Sequence, residues 1–353
     1  HGQVDCFSLA LSPSEVISIP IVDAGFEHRW SESEELEIWR LYAQILQSQR
    51  IAKVNQNIGF DLAALLQLNN IIPCGPLHDP MIAHSIMLPF LDKDLGTLCS
   101  LYTDEPYYKD QGDLRSAQSV DDFARRWRYN ALDAAVALEC WEKLIATVDE
   151  ESYRPLYDDT IAMLPSLVYM TARGMRIDRP ALEQARVKAT TDIAAIVAKL
   201  EGALGCPILT SAPKTAAQKR AAVGSININS NAQLKEYFYK TKKVRPYVNA
   251  AGAETIDDKA LARILRRDGL PEARLLQEYR SISKLSSTYL EVEYDESDER
   301  VHCSWNPRGT WTGRLSSSKH IIGGKNGGMS GFNLQNQPEE MRGFLVSDEV
   351  CNA

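Results

Sequence analysis

The sequence predicts an α/β domain in the first part of the chain, then a mostly helical part and a strand-containing end. Strand-like and helix-like apolar patterns alternate over residues 1–150, which is typical of an α/β domain. Helix caps and helical spacing dominate from Tyr153 to about residue 289. The charge divides at the same place: residues 1–150 carry 11 basic and 23 acidic side chains, whereas residues 151–353 carry 28 and 24. The sequence therefore predicts domains with different roles.

Length and composition fit a globular protein with more than one hydrophobic core. The chain has 353 residues, of which 44% are hydrophobic and 24% are charged, and its net charge is −8. No run of about 18 apolar residues occurs, so the sequence predicts no membrane span. The seven cysteines are scattered and form no C-x-x-C pair. This pattern favours reduced thiols in a cytoplasm over a disulfide framework or a cysteine zinc site.

The first 150 residues should contain a hairpin followed by alternating helices and strands. Two apolar runs, residues 4–11 and 16–19, flank a Ser-Pro-Ser turn signal. Ser31 and Glu34 have the spacing of a capping box, which predicts the start of a helix. The further expected elements are a strand over residues 51–55, a helix over residues 60–69 and a helix over about residues 129–145.

In the second part of the chain, individual residues mark where helices begin and end. Gly174 can end one helix, and Asp178 can cap the next, with Pro180 in its first turn. Ser230 and Asp257 are the expected caps of two later helices. The remaining expectations are a helix over residues 271–289, a hairpin-like region after residue 293 and a glycine-rich loop at residues 323–331.

Two carboxylates of the first domain, Asp61 and Asp133, occupy positions from which they could contribute to one site. Asp61 lies where a predicted strand gives way to a helix, and Tyr129 and Asp133 share a helix face because they are four residues apart. Gathered carboxylates suit Mg²⁺, which prefers oxygen ligands, and two such ions can assist phosphodiester cleavage. A nearby tyrosine hydroxyl can orient the attacking water. Taken singly, Asp61 is also explained as a helix cap, and Tyr129 with Asp133 as a surface pair.

Residues 276–345 carry three polar motifs in succession. Arg280 and Lys284 are four residues apart on the predicted long helix and form a cationic edge, a pattern that solvated helix faces also show. The sequence T-W-T-G-R-L-S-S-S begins at Thr310, and N-L-Q-N-Q-P begins at Asn333.

The motifs of the first domain resemble those of proofreading 3′–5′ exonucleases of the DEDD superfamily, tyrosine subtype. The second family motif, N-x-x-[FY]-D, matches Asn57 to Asp61, and the third, Y-x-x-x-D, matches Tyr129 to Asp133. The H-D-P-M stretch around Asp79 also looks like this family. The resemblance implies an RNase H-like fold, Asp61 and Asp133 as metal ligands, and Tyr129 as the catalytic residue that orients water. The first family motif, D-x-E, is not found before the predicted hairpin, so we expect no useful exonuclease activity from the chain as given.

The later motifs resemble those of family A DNA polymerases. This family carries K-L-x-S-T-Y, T-x-T-G-R-L-S-S and N-L-Q-N-x-P in this order, and the chain has matches at Lys284, Thr310 and Asn333. The resemblance implies template-directed nucleotide addition by the intact enzyme. It places Arg314 at minor-groove acceptors that all base pairs share. The implied DNA-binding residues are Arg280, Lys284, Thr312, Arg314, Ser316, Ser317, Asn333, Gln335 and Asn336.

The resemblance also divides the chain into segments. It implies an exonuclease domain over residues 1–150, a palm entry over 151–190, a thumb over 191–293 and a partial palm over 294–353. Residues 319–332 lengthen the usual link between two motifs, as in some phage-type members, so a viral source is a reasonable expectation. The first polymerase aspartate of the family should come shortly after residues 343–346, and we expect the chain as given to be an inactive fragment that lacks most catalytic carboxylates.

Three hypotheses follow from the sequence. The leading one is a fragment of a family A DNA polymerase with a proofreading domain. Its intact form would bind primer–template DNA, single-stranded 3′ ends, deoxynucleotides and Mg²⁺ at a two-metal site. The second is a stand-alone RNase D-like exonuclease, against which the motifs at Thr312 and Asn333 speak. The third is a catalytically inactive primer–template-binding module. The leading hypothesis predicts a cytoplasmic protein of a bacterium or a phage-infected cell, without a membrane partner.

Overall fold

The computed structural model divides the chain into two compact units. It describes residues 4–25, 27–110, 119–215, 218, 220, 222–249, 251–292, 294–295, 298–319 and 333–348. The first unit comprises His1–Arg176, Glu293–Gln337 and Ser347–Ala353. The second unit comprises Ile177–Val292 and Pro338–Val346. Within the described ranges, no helix combines the length and apolar character that a bilayer span requires.

The first unit begins with the predicted α/β pattern, and the α/β fold class is confirmed. Its first strands are β1 (Cys6–Ser12), β2 (Glu15–Pro20), β3 (Lys53–Val54) and β4 (Leu77–His78). Its helices are α1 (Glu32–Leu46), α2 (Ile58–Asn69), α3 (Pro80–Met87), α4 (Leu95–Tyr102), α5 (Val120–Glu150), α6 (Arg154–Ala162) and α7 (Leu164–Arg173). β1 and β2 pair antiparallel, and β3 and β4 pair parallel.

Local sequence signals explain where these helices start. Ser31 and Glu34 form the predicted capping box of α1. A second capping box, formed by Ser119 and Asp122, starts α5, which is longer than the predicted helix over residues 129–145. No glycine or proline interrupts residues 120–150, so the helix continues through the whole stretch.

Two apolar clusters hold this part of the first unit together. The hairpin contributes Phe7, which is buried with Phe123 of α5 and stacks on Tyr42 of α1 with ring centroids 3.9 Å apart. The larger cluster joins α2, α3, α4, α5 and α7 through buried side chains that include Leu62, Ile82, Leu98, Cys140, Leu144 and Leu164. The first turns of α2 and one face of α5 therefore pack into the same apolar core.

The second unit is mainly helical. Its elements are α8 (Arg179–Leu204), β6 (Ile208–Leu209), β7 (Ile226–Asn227), α9 (Asn231–Lys235), β8 (Tyr247–Val248), β9 (Glu254–Thr255), α10 (Asp258–Asp268), α11 (Pro271–Lys284), α12 (Glu339–Arg342) and β13 (Leu345–Val346). The predicted caps Asp178, Ser230 and Asp257 each accept a hydrogen bond from a backbone N–H in the first turn of their helix. Leu200, Phe238, Leu261 and Leu276 are among the side chains that fill its core.

The helix predicted over residues 271–289 is present, and its hydrogen-bond pattern changes near the carboxyl end. α11 ends at Lys284, and Leu285–Leu290 continues with π-helical hydrogen bonds. The change falls on the run Ser286-Ser287-Thr288, whose hydroxyls compete for backbone hydrogen bonds and whose helix propensity is low.

The end of the first unit contains the predicted hairpin. β10 (Arg300–Val301) pairs antiparallel with the beginning of β5 (Met175–Ile177), and β11 (Cys303–Asn306) pairs antiparallel with β12 (Ser316–Lys319). The connection of this second pair carries the sequence T-W-T-G-R-L. The predicted glycine-rich loop at residues 323–331, and most of the long link over residues 319–332, lie outside the described residues.

Candidate functional site

Asp61 lies in the first turn of α2, where its neighbours hold its side chain in place and shift its pKa. The residue before the helix, Asn57, has left-handed backbone angles (φ 56°, ψ 41°), which turn the chain from β3 into α2. The Asn55 Nδ2 atom donates a hydrogen bond of 2.9 Å to Asp61 Oδ2. Asp61 as a whole residue is partly buried.

Asp79 stabilises the start of the same helix through hydrogen bonds. It is 1% exposed, and its carboxylate accepts hydrogen bonds from the backbone N–H groups of Asn57 and Ile58 at 3.1 Å each and of Met81 at 2.8 Å. Asp79 therefore caps α3 and also accepts hydrogen bonds from the backbone at the start of α2. Its own N–H donates to the Tyr157 hydroxyl at 3.0 Å. The sequence singles out Asp79 only through the family-like H-D-P-M stretch, because its contacts with the start of α2 span 21 and 22 residues.

Tyr129 and Asp133 lie on one face of α5, where two further residues join them. Asp133 Oδ1 accepts hydrogen bonds from the Tyr108 hydroxyl at 2.7 Å and from Lys109 Nζ at 2.5 Å. Lys109 Nζ also lies 4.4 Å from the centroid of the Tyr129 ring, and the Tyr108 and Tyr129 rings meet edge to face at 5.4 Å. Neither Tyr108 nor Lys109 was predicted, since no motif around them marks a role.

Electrostatics link these carboxylates. The pKa of Asp61 is raised to about 7, chiefly by burial and also by the charges of Asp79 and Asp133, whereas a backbone hydrogen bond and the Asn55 amide oppose the shift. Burial and the Asp133 carboxylate raise the pKa of the Tyr108 phenol, so this hydroxyl remains a donor. Like charges that act on each other in a partly dehydrated place favour a cation between them. The oxygen donors of Asp61 and Asp133 therefore fit a hard divalent ion.

A second group of predicted residues lies in the turn between β11 and β12. Thr310 Oγ1 accepts a hydrogen bond from the Arg314 backbone N–H at 3.0 Å and is 3.0 Å from Thr312 Oγ1. Gly313 has a φ of +76°, which favours glycine, and a Cβ atom there would lie 3.1 Å from the Arg308 guanidinium. The turn leaves the side chains of Thr312 and Arg314 exposed and that of Ser316 partly exposed.

The two sequence motifs of this region are joined by side-chain hydrogen bonds. Ser317 is 5% exposed; its hydroxyl donates to Asn333 Oδ1 at 2.6 Å, and its N–H donates to Gln335 Oε1 at 2.9 Å. Gln335 Nε2 donates in turn to the Leu315 carbonyl at 3.0 Å. Ser317, Asn333 and part of Gln335 thus hold the motifs together, while Asn336 is exposed.

Arg280 and Lys284 lie on α11 of the second unit and differ in their surroundings. The Arg280 guanidinium donates to the Ile256 carbonyl at 2.8 Å and reaches Asp258 Oδ1 at 3.4 Å, so it ties α11 to the start of α10. Lys284 is exposed. The predicted cationic edge therefore consists of one partly buried, structurally engaged guanidinium and one solvent-facing ammonium.

Two family models match the chain. Residues 11–149 match the 3′–5′ exonuclease family, and residues 209–322 match DNA polymerase family A. These matches cover the parts that hold Asp61, Tyr129, Asp133 and Arg314. They define the class of the chain, in which a 3′–5′ exonuclease region is followed by a region of DNA polymerase family A. The chain belongs to family A, is Pol I-like and corresponds to part of such a DNA polymerase; family A polymerase and exonuclease domains generally use divalent metals.

Bacterial relatives agree with this assignment. The chain is 26% identical over 298 residues to DNA polymerase I of Rhizobium leguminosarum, covering 78% of this chain and 26% of the relative. It is 27% identical over 317 residues to DNA polymerase I of Synechocystis sp., covering 87% and 30%. A shorter match to DNA polymerase I of Helicobacter pylori is 37% identical over 135 residues, covering 35% and 13%. The chain thus spans less than a third of the length of these relatives.

The fold also agrees with a solved polymerase structure. The POL domain of Pol1 from M. smegmatis, in complex with DNA primer-template and dNTP, superposes with a TM-score of 0.66. The match covers 97% of this chain and 52% of that domain, at 18% identity. The polymerase hypothesis is confirmed at the level of family and fold, and the match over residues 209–322 speaks against a stand-alone exonuclease.

Proposed function

We propose that this chain supplies primer–template binding and a proofreading domain to a DNA polymerase whose intact form extends primers on a template. The observation that carries the proposal is the joined pair of motifs around Ser317 and Asn333, which holds the turn with Arg314 at the surface. A fixed turn lets Arg314 present its planar fork of donors in one orientation. Such a fork suits the minor-groove acceptors of a primer-terminal base pair.

The exposed polar residues around this turn complete the proposed DNA contact. Thr312, Ser316 and Asn336 would contact the DNA backbone or base edges beside Arg314. Ser317, Asn333 and Gln335 would act mainly by holding the two motifs in register. On the second unit, Lys284 would neutralise a phosphate, and Arg280 would position α11. Solvent-facing basic residues of this unit would add salt-dependent affinity: Lys240, Lys242, Lys243 and Arg245.

The proposed proofreading site is formed by Asp61, Asp133 and Tyr129. The two carboxylates would hold Mg²⁺, which when bound supplies charge neutralisation for phosphodiester hydrolysis at a two-metal site. Asn55 positions Asp61, and Tyr108 with Lys109 positions Asp133. Tyr129 would orient the attacking water through its hydroxyl. The substrate would be a single-stranded 3′ end.

Replacement of Arg314 by alanine tests the binding proposal. We expect Arg314→Ala to weaken binding of a fluorescent primer–template by about 1–3 kcal/mol, measured by anisotropy at fixed salt. Arg40→Ala is the control, since Arg40 is an exposed arginine of α1 that pairs with Glu37. Equal affinities of the Arg314 and Arg40 variants would contradict the proposed contact. Loss of binding in both variants would point to charge alone rather than to the turn.

A further inference from the structure

Two aromatic rings face solvent beside the proposed primer-binding turn. Phe90, in the segment between α3 and α4, is 81% exposed, and Trp311, in the turn itself, is 65% exposed. Their ring centroids are 5.7 Å apart and their planes differ by 28°, so the rings are stacked. We call Phe90 and Trp311 the aromatic pair. It joins the amino-terminal part of the first unit to the segment that contains Arg314.

Hydrogen bonds join the two chain segments that carry these rings. Arg308 Nε donates to the Ser85 hydroxyl at 3.1 Å, and an Arg308 terminal nitrogen donates to the Ser85 carbonyl at 3.2 Å. Lys93 Nζ donates to the Arg308 carbonyl. Ser85 and Lys93 flank Phe90 in the sequence, and Arg308 lies three residues before Trp311. The bonds therefore keep the two segments that carry the rings next to each other.

The same segment leads to the proposed proofreading carboxylates. The Lys93 carbonyl accepts a hydrogen bond from Gln56 Nε2 at 3.2 Å. Gln56 follows Asn55, whose amide bonds to Asp61. Lys93 thus links the segment that carries Phe90 both to Arg308, which precedes the primer-binding turn, and to Gln56, which is close to Asp61 in the sequence.

We propose that the aromatic pair is a binding site for the unpaired 3′-terminal base of a frayed primer. Every nucleobase has a π face, so stacking on an exposed ring selects single-stranded character without reading sequence. The site would receive the terminal base after it leaves the duplex. This inference rests on the proposed primer–template binding, because the ligand is the primer strand of that complex.

The test compares a frayed and a matched primer end. Two primer–templates carry 2-aminopurine at the 3′ terminus, one paired and one within a three-base mismatch, and affinity and quenching are measured at one salt concentration. Phe90→Ala should weaken binding of the mismatched end about tenfold and remove its stacking-dependent quenching. Binding of the matched end should change less than about twofold, because the terminal base stays in the duplex. Phe90→Tyr, which keeps the ring, should behave as the wild type.

Leu36→Ala is the matched control, since Leu36 is 70% exposed on α1 and lies outside the proposed site. Thermal unfolding of Phe90→Ala and Leu36→Ala should be the same as that of the wild type. An unchanged affinity of Phe90→Ala for the mismatched end, or an equal loss for both ends, would overturn the aromatic-pair proposal alone. Failure of the wild type to bind either DNA would overturn the proposed primer–template binding and this inference with it.

Discussion

At the scale of single residues, each carboxylate of the candidate proofreading site has its own partners. Asp61 is bonded to an amide, Asp133 to a phenol and an ammonium, and Asp79 to three backbone N–H groups. Asp79 is the most deeply buried of the three. Burial raises the pKa of Asp79 to about 7, although its backbone donors oppose the shift. We therefore interpret Asp79 as a structural residue rather than a metal ligand.

Removal of Asp79 should cost more stability than removal of an ordinary helix cap. Asp79→Ala leaves three backbone donors without this acceptor, two of them buried, and we expect a loss of about 2–4 kcal/mol in the free energy of unfolding. Asp94→Ala is the comparison, because Asp94 caps α4 at the surface and its loss should cost about 1 kcal/mol. Urea unfolding followed by circular dichroism measures both. Similar losses for the two variants would contradict the double role of Asp79.

Lys109 should compete with a metal ion for Asp133. Its ammonium lies 2.5 Å from Asp133 Oδ1, so a divalent ion must displace or share this contact. Lys109→Gln should therefore strengthen Mn²⁺ binding several-fold, which calorimetric titration measures. Lys143→Gln is the control, since Lys143 forms an exposed pair with Glu139 elsewhere on α5. Weaker Mn²⁺ binding in the Lys109 variant would show that the ammonium organises the site instead.

Gly309 is required by close approach rather than by its backbone angles. A Cβ atom at this position would lie 1.5 Å from Ser316 Oγ, so the turn between β11 and β12 must move to admit it. We expect Gly309→Ala to lower primer–template affinity and the midpoint of thermal unfolding. Gly202→Ala should act in the opposite direction, raising stability by about 0.5–1 kcal/mol, because Gly202 lies within α8 and nothing lies within 4 Å of the added methyl group. If Gly309→Ala has the affinity and unfolding midpoint of the wild type, the turn can adjust to the added methyl group and the close approach is not required.

At the scale of elements, two of the basic residues of α11, Arg280 and Lys284, have different expected effects. Arg280→Ala should lower the free energy of unfolding by about 1–2 kcal/mol, since its guanidinium bonds to the Ile256 carbonyl. Lys284→Ala should leave stability unchanged and reduce the salt dependence of DNA binding by about one released ion. Thermal unfolding and anisotropy titrations at several salt concentrations separate the two effects. A stability loss in the lysine variant would remove it from the proposed DNA contacts.

Local signals in the sequence predicted most elements, whereas contacts between distant residues were not predictable. The caps at Ser31, Asp178 and Asp257 act within one helical turn, so a few neighbouring letters are sufficient to recognise them. The pairing of Tyr108 and Lys109 with Asp133 joins residues 24 and 25 positions apart, and it depends on the packing of α5. The motif residues were recognised by resemblance, but their division into exposed and structural members required the fold.

At the scale of the whole molecule, the charge is uneven along the chain. The chain has a net charge of −8, yet its excess of acidic residues is confined to residues 1–150. A net charge calculated for the whole chain would argue against DNA binding, whereas the later part has more basic than acidic residues. Affinity for DNA depends on local charge. We therefore expect the acidic residues 1–150 to repel DNA, and nonspecific contacts to form mainly with residues 151–353.

The hydrogen bonds that join Ser317 to Asn333 and Gln335 have a consequence for how this region tolerates insertions. They hold together the residues on either side of the interval between the two motifs, so we expect the motifs to keep their register when that interval is lengthened. The entropy of closing such a segment grows only with the logarithm of its length, by about 0.6 kcal/mol per doubling. This interval is therefore a natural position for inserting a reporter peptide or a second binding module, while the paired motifs remain as they are.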